Sequence, residues 1–301
     1  MKFIKKFGVL IMAFGLWGCA SKPVDQYSEF AGAGHEYAYG LSKVFDFAEA
    51  TAIDRSSTDL VAENALVDRE SGGFINQELN RLAEAGVSDA KRIQAFTIMR
   101  KHVQAMSRYF AQLSELAKTR YVAQTAGALV ETARTIESLT SDLGGSVLGG
   151  GQSFSASNAK PYVIGARQRT TLKRRIKADA HILQSALAAH ESILGIIADD
   201  LAHDIAMLSD RKQAWLVKQP FIGAQPLSQN PVQLSHWLEH RRKLLLRESK
   251  ALELIRSSRE ATGKLSSLLR EMVKNEKNIA RHIELFRAEL DSITAASQGM
   301  N

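Results

Sequence analysis

The chain has 301 residues, 45% of them hydrophobic, with 39 Lys and Arg against 32 Asp and Glu and a formal charge of +7. Its single cysteine, Cys19, excludes a disulfide framework within the chain, so stability has to come from packing. Past the first twenty residues no apolar run approaches the ~18 residues a bilayer span needs.

The first segment opens with Lys2, Lys5 and Lys6, continues as an apolar run from Phe7 to Trp17, and closes on the small residue Gly18. That pattern reads as an export signal, too short for a spanning helix. The tetrapeptide Leu16-Trp17-Gly18-Cys19 resembles the lipobox of bacterial lipoprotein precursors. The resemblance implies cleavage before Cys19 and acylation of that cysteine, with palmitate-type chains anchoring the new N-terminus. It further implies a signal over 1–18 and a lipidated cysteine and tether over 19–27, leaving 28–301 for the domain that the periodicity below reads as helical. Ala20 stands where the inner-membrane retention signal of enteric bacteria has Asp, so outer-membrane delivery, facing the periplasm, is implied. An exported chain is not expected to meet nucleic acid.

Loss of the signal removes three lysines and brings the formal charge to +4. The remainder is uneven, because residues 20–150 hold 13 Lys and Arg against 17 Asp and Glu, whereas residues 151–301 hold 23 against 15. Either the two halves face each other in one bundle, or the second presents a basic face to lipid phosphates or acidic cell-wall polymer.

Five prolines and several glycine clusters divide the mature chain into four pieces, each reading as helix. In the first, from about Val24 to Glu70, Phe30, Tyr37, Leu41, Val44, Phe45, Ala48 and Ala52 share one face. The polar run Asp54 to Thr58 is a candidate interruption, and Ser71-Gly72-Gly73 a terminator before a short helix from Phe74 to Ala85. The second, Ser88 to Leu143, carries a heptad seam through Phe96, Met99, Val103, Met106, Phe110, Leu113 and Ala117. Its phase slips near Tyr121 and resumes at Leu129, Ile136 and Leu143, as an inserted stutter would. A Gly- and Ser-rich loop over about 143–160 follows, its Val147, Leu148 and Phe154 being either incidental or a contact point.

The third piece, Gly165 to Lys218, has a seam through Ile176, Leu183, Leu187, His190, Leu194, Ile197, Leu201, Asp204 and Leu208. The fourth, Val232 to Ala296, has one through Leu265, Leu269, Met272, Glu276, Ile279, Ile283, Phe286, Leu290 and Ile293. No run alternates with period two. The expected fold is all-α: an elongated antiparallel bundle of about four long helices with coiled-coil-like packing, two domains split at the Gly-rich loop being the alternative. Leu234, Trp237, Leu238, Leu244, Leu245 and Leu246 make a broad apolar surface, either core or partner interface, and oligomeric state stays open.

Chemistry-bearing patterns are few. His236-Trp237-Leu238-Glu239-His240 fits H-x-x-E-H, with both imidazoles on one helix face and a glutamate placed to activate zinc-bound water. Arg241, Arg242 and Lys243 follow at once, and no distal carboxylate ligand is at the required separation, so the plain reading is a solvated first turn with Trp237 inward. Asp199, Asp200 and His203 lie at metal-compatible helix spacings that also describe ordinary surface pairs. His190, Asp204 and Glu276 are polar at seam positions and are expected to fix register; for His190 a pH-sensing role is the sharper reading. Nothing supplies a nucleophile elbow or phosphate loop.

The chain is therefore expected to be no enzyme and to take no metal or cofactor. The leading expectation is a lipid-anchored envelope scaffold with a protein partner. The others are a peptidoglycan- or lipopolysaccharide-binding accessory using Arg167, Arg169, Lys173, Arg174, Arg175 and Lys177, and a zinc-dependent hydrolase using His236, Glu239 and His240.

Overall fold

The computed structural model describes residues 22–62, 72–118, 122–146, 168–212, 231–274 and 279–298, all of them helical. The helices are α1 (Lys22–Ala62), α2 (Gly72–Lys118), α3 (Val122–Ser146), α4 (Gln168–Lys212), α5 (Pro231–Lys274) and α6 (Ile279–Gln298). Cys19 with its lipobox, most of the Gly-rich loop, Arg167 and Glu276 lie outside the described residues. No described helix is long and apolar enough to cross a membrane.

The all-α bundle expected from periodicity is the fold, but two of the four pieces double back. The slip near Tyr121 marks a reversal: α3 runs antiparallel to α2, with His102 bonded to Thr140 and Gln112 to Thr132. The seam resumes in a new phase because the second half packs against the first instead of extending it. The last seam divides in the same way, α6 packing back on α5 with Lys264 paired to Glu289. Conversely, the expected short helix from Phe74 to Ala85 is the opening of the 47-residue α2, which is on the order of 70 Å long. Asp54 to Thr58 do not interrupt α1. Ser57 and Thr58 return their hydroxyls to the carbonyls of Ile53 and Asp54, Arg55 pairs with Asp59 one turn on, Ser56 bonds Asp89 of α2 and Asp54 pairs with Lys212 of α4, so the polar groups find partners without a break in the helix. α1 also includes Lys22 to Gln26, the stretch expected as tether, and so begins three residues after Cys19.

The six helices form two layers, α2, α1 and α6 in one and α3, α4 and α5 in the other, with α1 and α4 central. Their seams bury one continuous apolar core running from Tyr27 to Ala296. Small residues bring α1 close to its neighbours: Gly34 lies against the Phe110 ring of α2, and Gly40 against Ile293 of α6. Phe110 is then clasped edge-on by Phe30 and Tyr109, with ring centroids 5.6 and 5.7 Å apart.

Candidate functional site

Burying a polar side chain costs free energy unless it finds a partner, so the fully buried polar groups mark where this bundle has committed chemistry. Five helices each supply one residue to a single chain of contacts through the core: Thr140 from α3, His102 from α2, His190 from α4, Tyr37 from α1 and Thr262 from α5. All five are buried. The contacts are Thr140 Oγ1 to His102 Nε2 at 2.8 Å, His102 Nδ1 to His190 Nε2 at 2.7 Å, His190 Nδ1 to the Tyr37 hydroxyl at 3.0 Å, and that hydroxyl to Thr262 Oγ1 at 2.9 Å. Each end lies against a helix carbonyl, Ile136 for Thr140 and Ser258 for Thr262, both at 2.7 Å, and one of the two accepts in either polarity of the chain. Phe286 of α6 completes the surroundings against Tyr37.

Counting protons fixes the chemistry of this chain. If Thr140 donates to the Ile136 carbonyl, its oxygen accepts from His102 Nε2–H. His102 Nδ1 is then bare and accepts from His190 Nε2–H, His190 Nδ1 accepts from the Tyr37 hydroxyl, and Thr262 donates to Tyr37. Reversing every donor gives the opposite polarity, with Thr262 donating to the Ser258 carbonyl. Either arrangement satisfies both imidazoles in their neutral form, and a sixth proton would make one of them a buried cation. Burial opposes that: it pushes the His102 pKa down to about 3 and lowers that of His190, to which the His102 charge adds. Burial likewise raises the Tyr37 phenol above its ordinary range. The site is a closed, neutral, bidirectional hydrogen-bond chain whose ring nitrogens are all occupied.

Two further buried acids are satisfied by arginine. Asp179 of α4 pairs with Arg175 one turn earlier and accepts from the Tyr109 hydroxyl at 2.9 Å. Arg175, expected on a basic face, is thereby a buried core residue, because its carboxylate partner and Tyr109 lie inside the bundle. Asp204, on the α4 seam, accepts from Arg55 of α1 at 2.5 Å and Arg92 of α2 at 2.9 Å. Beside it a groove of about 240 Å³ opens between α2 and α4, floored by Ala48 and bordered by Arg92 and Asp204, which satisfy each other.

The other sequence candidates stay apart. His236 is exposed, and Glu239 is held by Lys243 at 2.8 Å; the His240 side chain lies outside the described residues. Asp199, Asp200 and His203 are exposed on α4, Asp200 at the rim of the same groove as Asp204. Among the described residues no group of three or more His, Cys, Asp and Glu is placed to hold a metal ion. Lys173, Arg174 and Lys177 are exposed. Sequence reading picks out His190 but not its partner His102, although His102 follows Met99 by three and precedes Met106 by four, the spacing of a core position.

No known protein family matches this chain, nor does any curated protein or solved structure.

Proposed function

We propose that this protein is a non-enzymatic lipoprotein, anchored through acylated Cys19 to the outer membrane and facing the periplasm, where its bundle serves as scaffold or binding platform for another envelope protein. The observation that carries this reading is the use of the buried polar groups. His102, His190, Tyr37 and Asp204 spend their hydrogen-bonding capacity on partners from other helices, and Asp179 on Arg175 of its own helix and Tyr109 of α2, which rigidifies a bundle rather than presenting these groups to a substrate. The lipobox supplies the anchor, and α1, which starts three residues later, is a central helix that ties that anchor to the rest of the bundle.

The test is a crosslinked pull-down of the lipidated protein from its native envelope, with partners identified by mass spectrometry and a Cys19→Ala control. A reproducible protein partner that is lost in the control is expected. Recovery of lipid or cell-wall material alone would refute the scaffold reading.

A further inference from the structure

Contacts between side chains fix the direction of each described helix. α2 is antiparallel to α1, since Glu49 meets Arg100 while His35 meets Ser107. α4 is parallel to α1, since Tyr37 meets His190 and Arg55 meets Asp204. α6 is parallel to α1, since Tyr37 meets Phe286 and Gly40 meets Ile293. α3 reverses α2, and α5 reverses α4, with Gln184 bonded to Ser266 and Ala198 facing Leu252 and Ile255. One end of the bundle therefore gathers the starts of α1, α3, α4 and α6 and the finishes of α2 and α5.

That end is basic. Lys118 closes α2, Lys274 closes α5, Lys173, Arg174 and Lys177 lie in the opening turns of α4, and Arg281 in the first turn of α6. All six are exposed, and none is in an ion pair with another described residue. The exposed acids nearest this end, Glu115, Glu284 and Glu29, stand about one to two turns in from the ends of their helices, Glu284 one turn beyond Arg281. Four helix N-termini against two C-termini add positive partial charge to the same surface. The opposite end is mixed: Asp54 is paired with Lys212, Asp59 and Asp204 with Arg55, and Glu239 with Lys243.

We propose that this basic end is a platform that seats on the headgroups of anionic phospholipid, a partner chosen on the strength of the lipidated Cys19 proposed above. α1 starts at that same end, three residues after Cys19 in the sequence, so the acyl chains and the cationic surface would meet one bilayer, the chains anchoring the protein and the basic end adding electrostatic attraction to anionic lipid. The bundle then stands upright, its far end presented away from the lipid. Exposed lysines and arginines at a lipid surface act additively through its negative potential, which reaches only about a Debye length of 8 Å, so only this end contributes.

The test uses a soluble form beginning at Ser21, which keeps all six described helices and has no acyl chain, so its outcome is independent of whether Cys19 is modified. It is co-sedimented with vesicles of phosphatidylglycerol and phosphatidylethanolamine and with vesicles of phosphatidylcholine, and circular dichroism verifies that each variant folds. Binding to the anionic vesicles alone is expected, and K173E/R174E/K177E should weaken it on the order of 100-fold. R241E/R242E/K243E at the far end should bind as the unsubstituted chain does. Equal binding to both lipids, equal losses from both triple variants, or binding to isolated cell-wall polymer without vesicle binding would each overturn the platform. A mass measurement on Cys19 of the full-length protein tests the anchor separately.

Discussion

His102 and His190 bond ring to ring, Nδ1 to Nε2 at 2.7 Å, between α2 and α4 at the centre of the bundle. The pair is flanked by Thr140 on one side and Tyr37 on the other, so removing either imidazole strands a neighbour in the core. His190→Ala should cost about 2 to 4 kcal/mol, combining a cavity with unsatisfied polar groups. The double variant H102L/H190L should cost less than the sum of its two single changes by about 1 kcal/mol or more, because the second substitution removes a group the first has orphaned. Urea denaturation of the four proteins closes this cycle, and strict additivity would mean that the two rings are not coupled.

The same pair makes stability depend on pH. Both histidines have folded pKa values pushed below the ordinary 6.5 by burial, His102 to about 3, so below pH 6.5 the unfolded chain binds more protons than the folded one. Their burial is tolerated without penalty above pH 6.5, and stability is lost as pH falls from 6.5 toward the folded values, by about 1.4 kcal/mol per pH unit for each histidine. The urea midpoint should therefore drop between pH 7 and pH 5, and H102L/H190L should flatten that slope. An identical slope in both proteins would assign the pH dependence elsewhere.

Arg175 and Asp179 form a buried ion pair with Tyr109 donating to the carboxylate. Asp179→Leu leaves the guanidinium without its anion in the core and should destabilise the bundle by about 3 to 5 kcal/mol. Combining it with Arg175→Met should recover most of that loss, since an apolar pair of similar volume avoids the desolvation cost altogether. A thermal scan of the single and double variants decides it; a double variant no more stable than Asp179→Leu would contradict the assignment.

Two glycines inside helices should respond in opposite directions. Gly127 faces open space, so Gly127→Ala should stabilise α3 by about 0.5 to 1 kcal/mol. A Cβ on Gly34 would overlap the Phe110 ring, which Phe30 and Tyr109 hold in place, so Gly34→Ala should cost about 1 to 3 kcal/mol despite its better helix propensity. Denaturation midpoints that move in the same direction for both would argue against the close approach of α1 and α2.

Periodicity reveals which residues face inward, because core positions recur every three to four residues whatever the helix packs against. Phe96, Met106, Leu183, Leu194, Leu265 and Phe286 are all read correctly on that basis and all buried. It does not reveal where a helix turns back, since a phase slip near Tyr121 looks alike for a stutter and a reversal; the antiparallel contact of His102 with Thr140 distinguishes them. The polar chain is hidden for a related reason. Thr140 and Thr262 can bond their own helix carbonyls and so look self-sufficient in sequence, and Tyr37 reads as one more aromatic on the apolar face of α1. Arg175 is misread because its neighbours Arg174 and Lys177 are exposed while it turns inward to Asp179, four residues ahead.

The anchor is the point on which the functional account depends most directly, and the mass of the N-terminal peptide of the protein isolated from its membrane fraction tests it. The account predicts a chain that begins at Cys19 carrying a diacylglyceryl thioether, and a Cys19→Ala variant that carries none. An unmodified Cys19, or a mature N-terminus at any other residue, would contradict it.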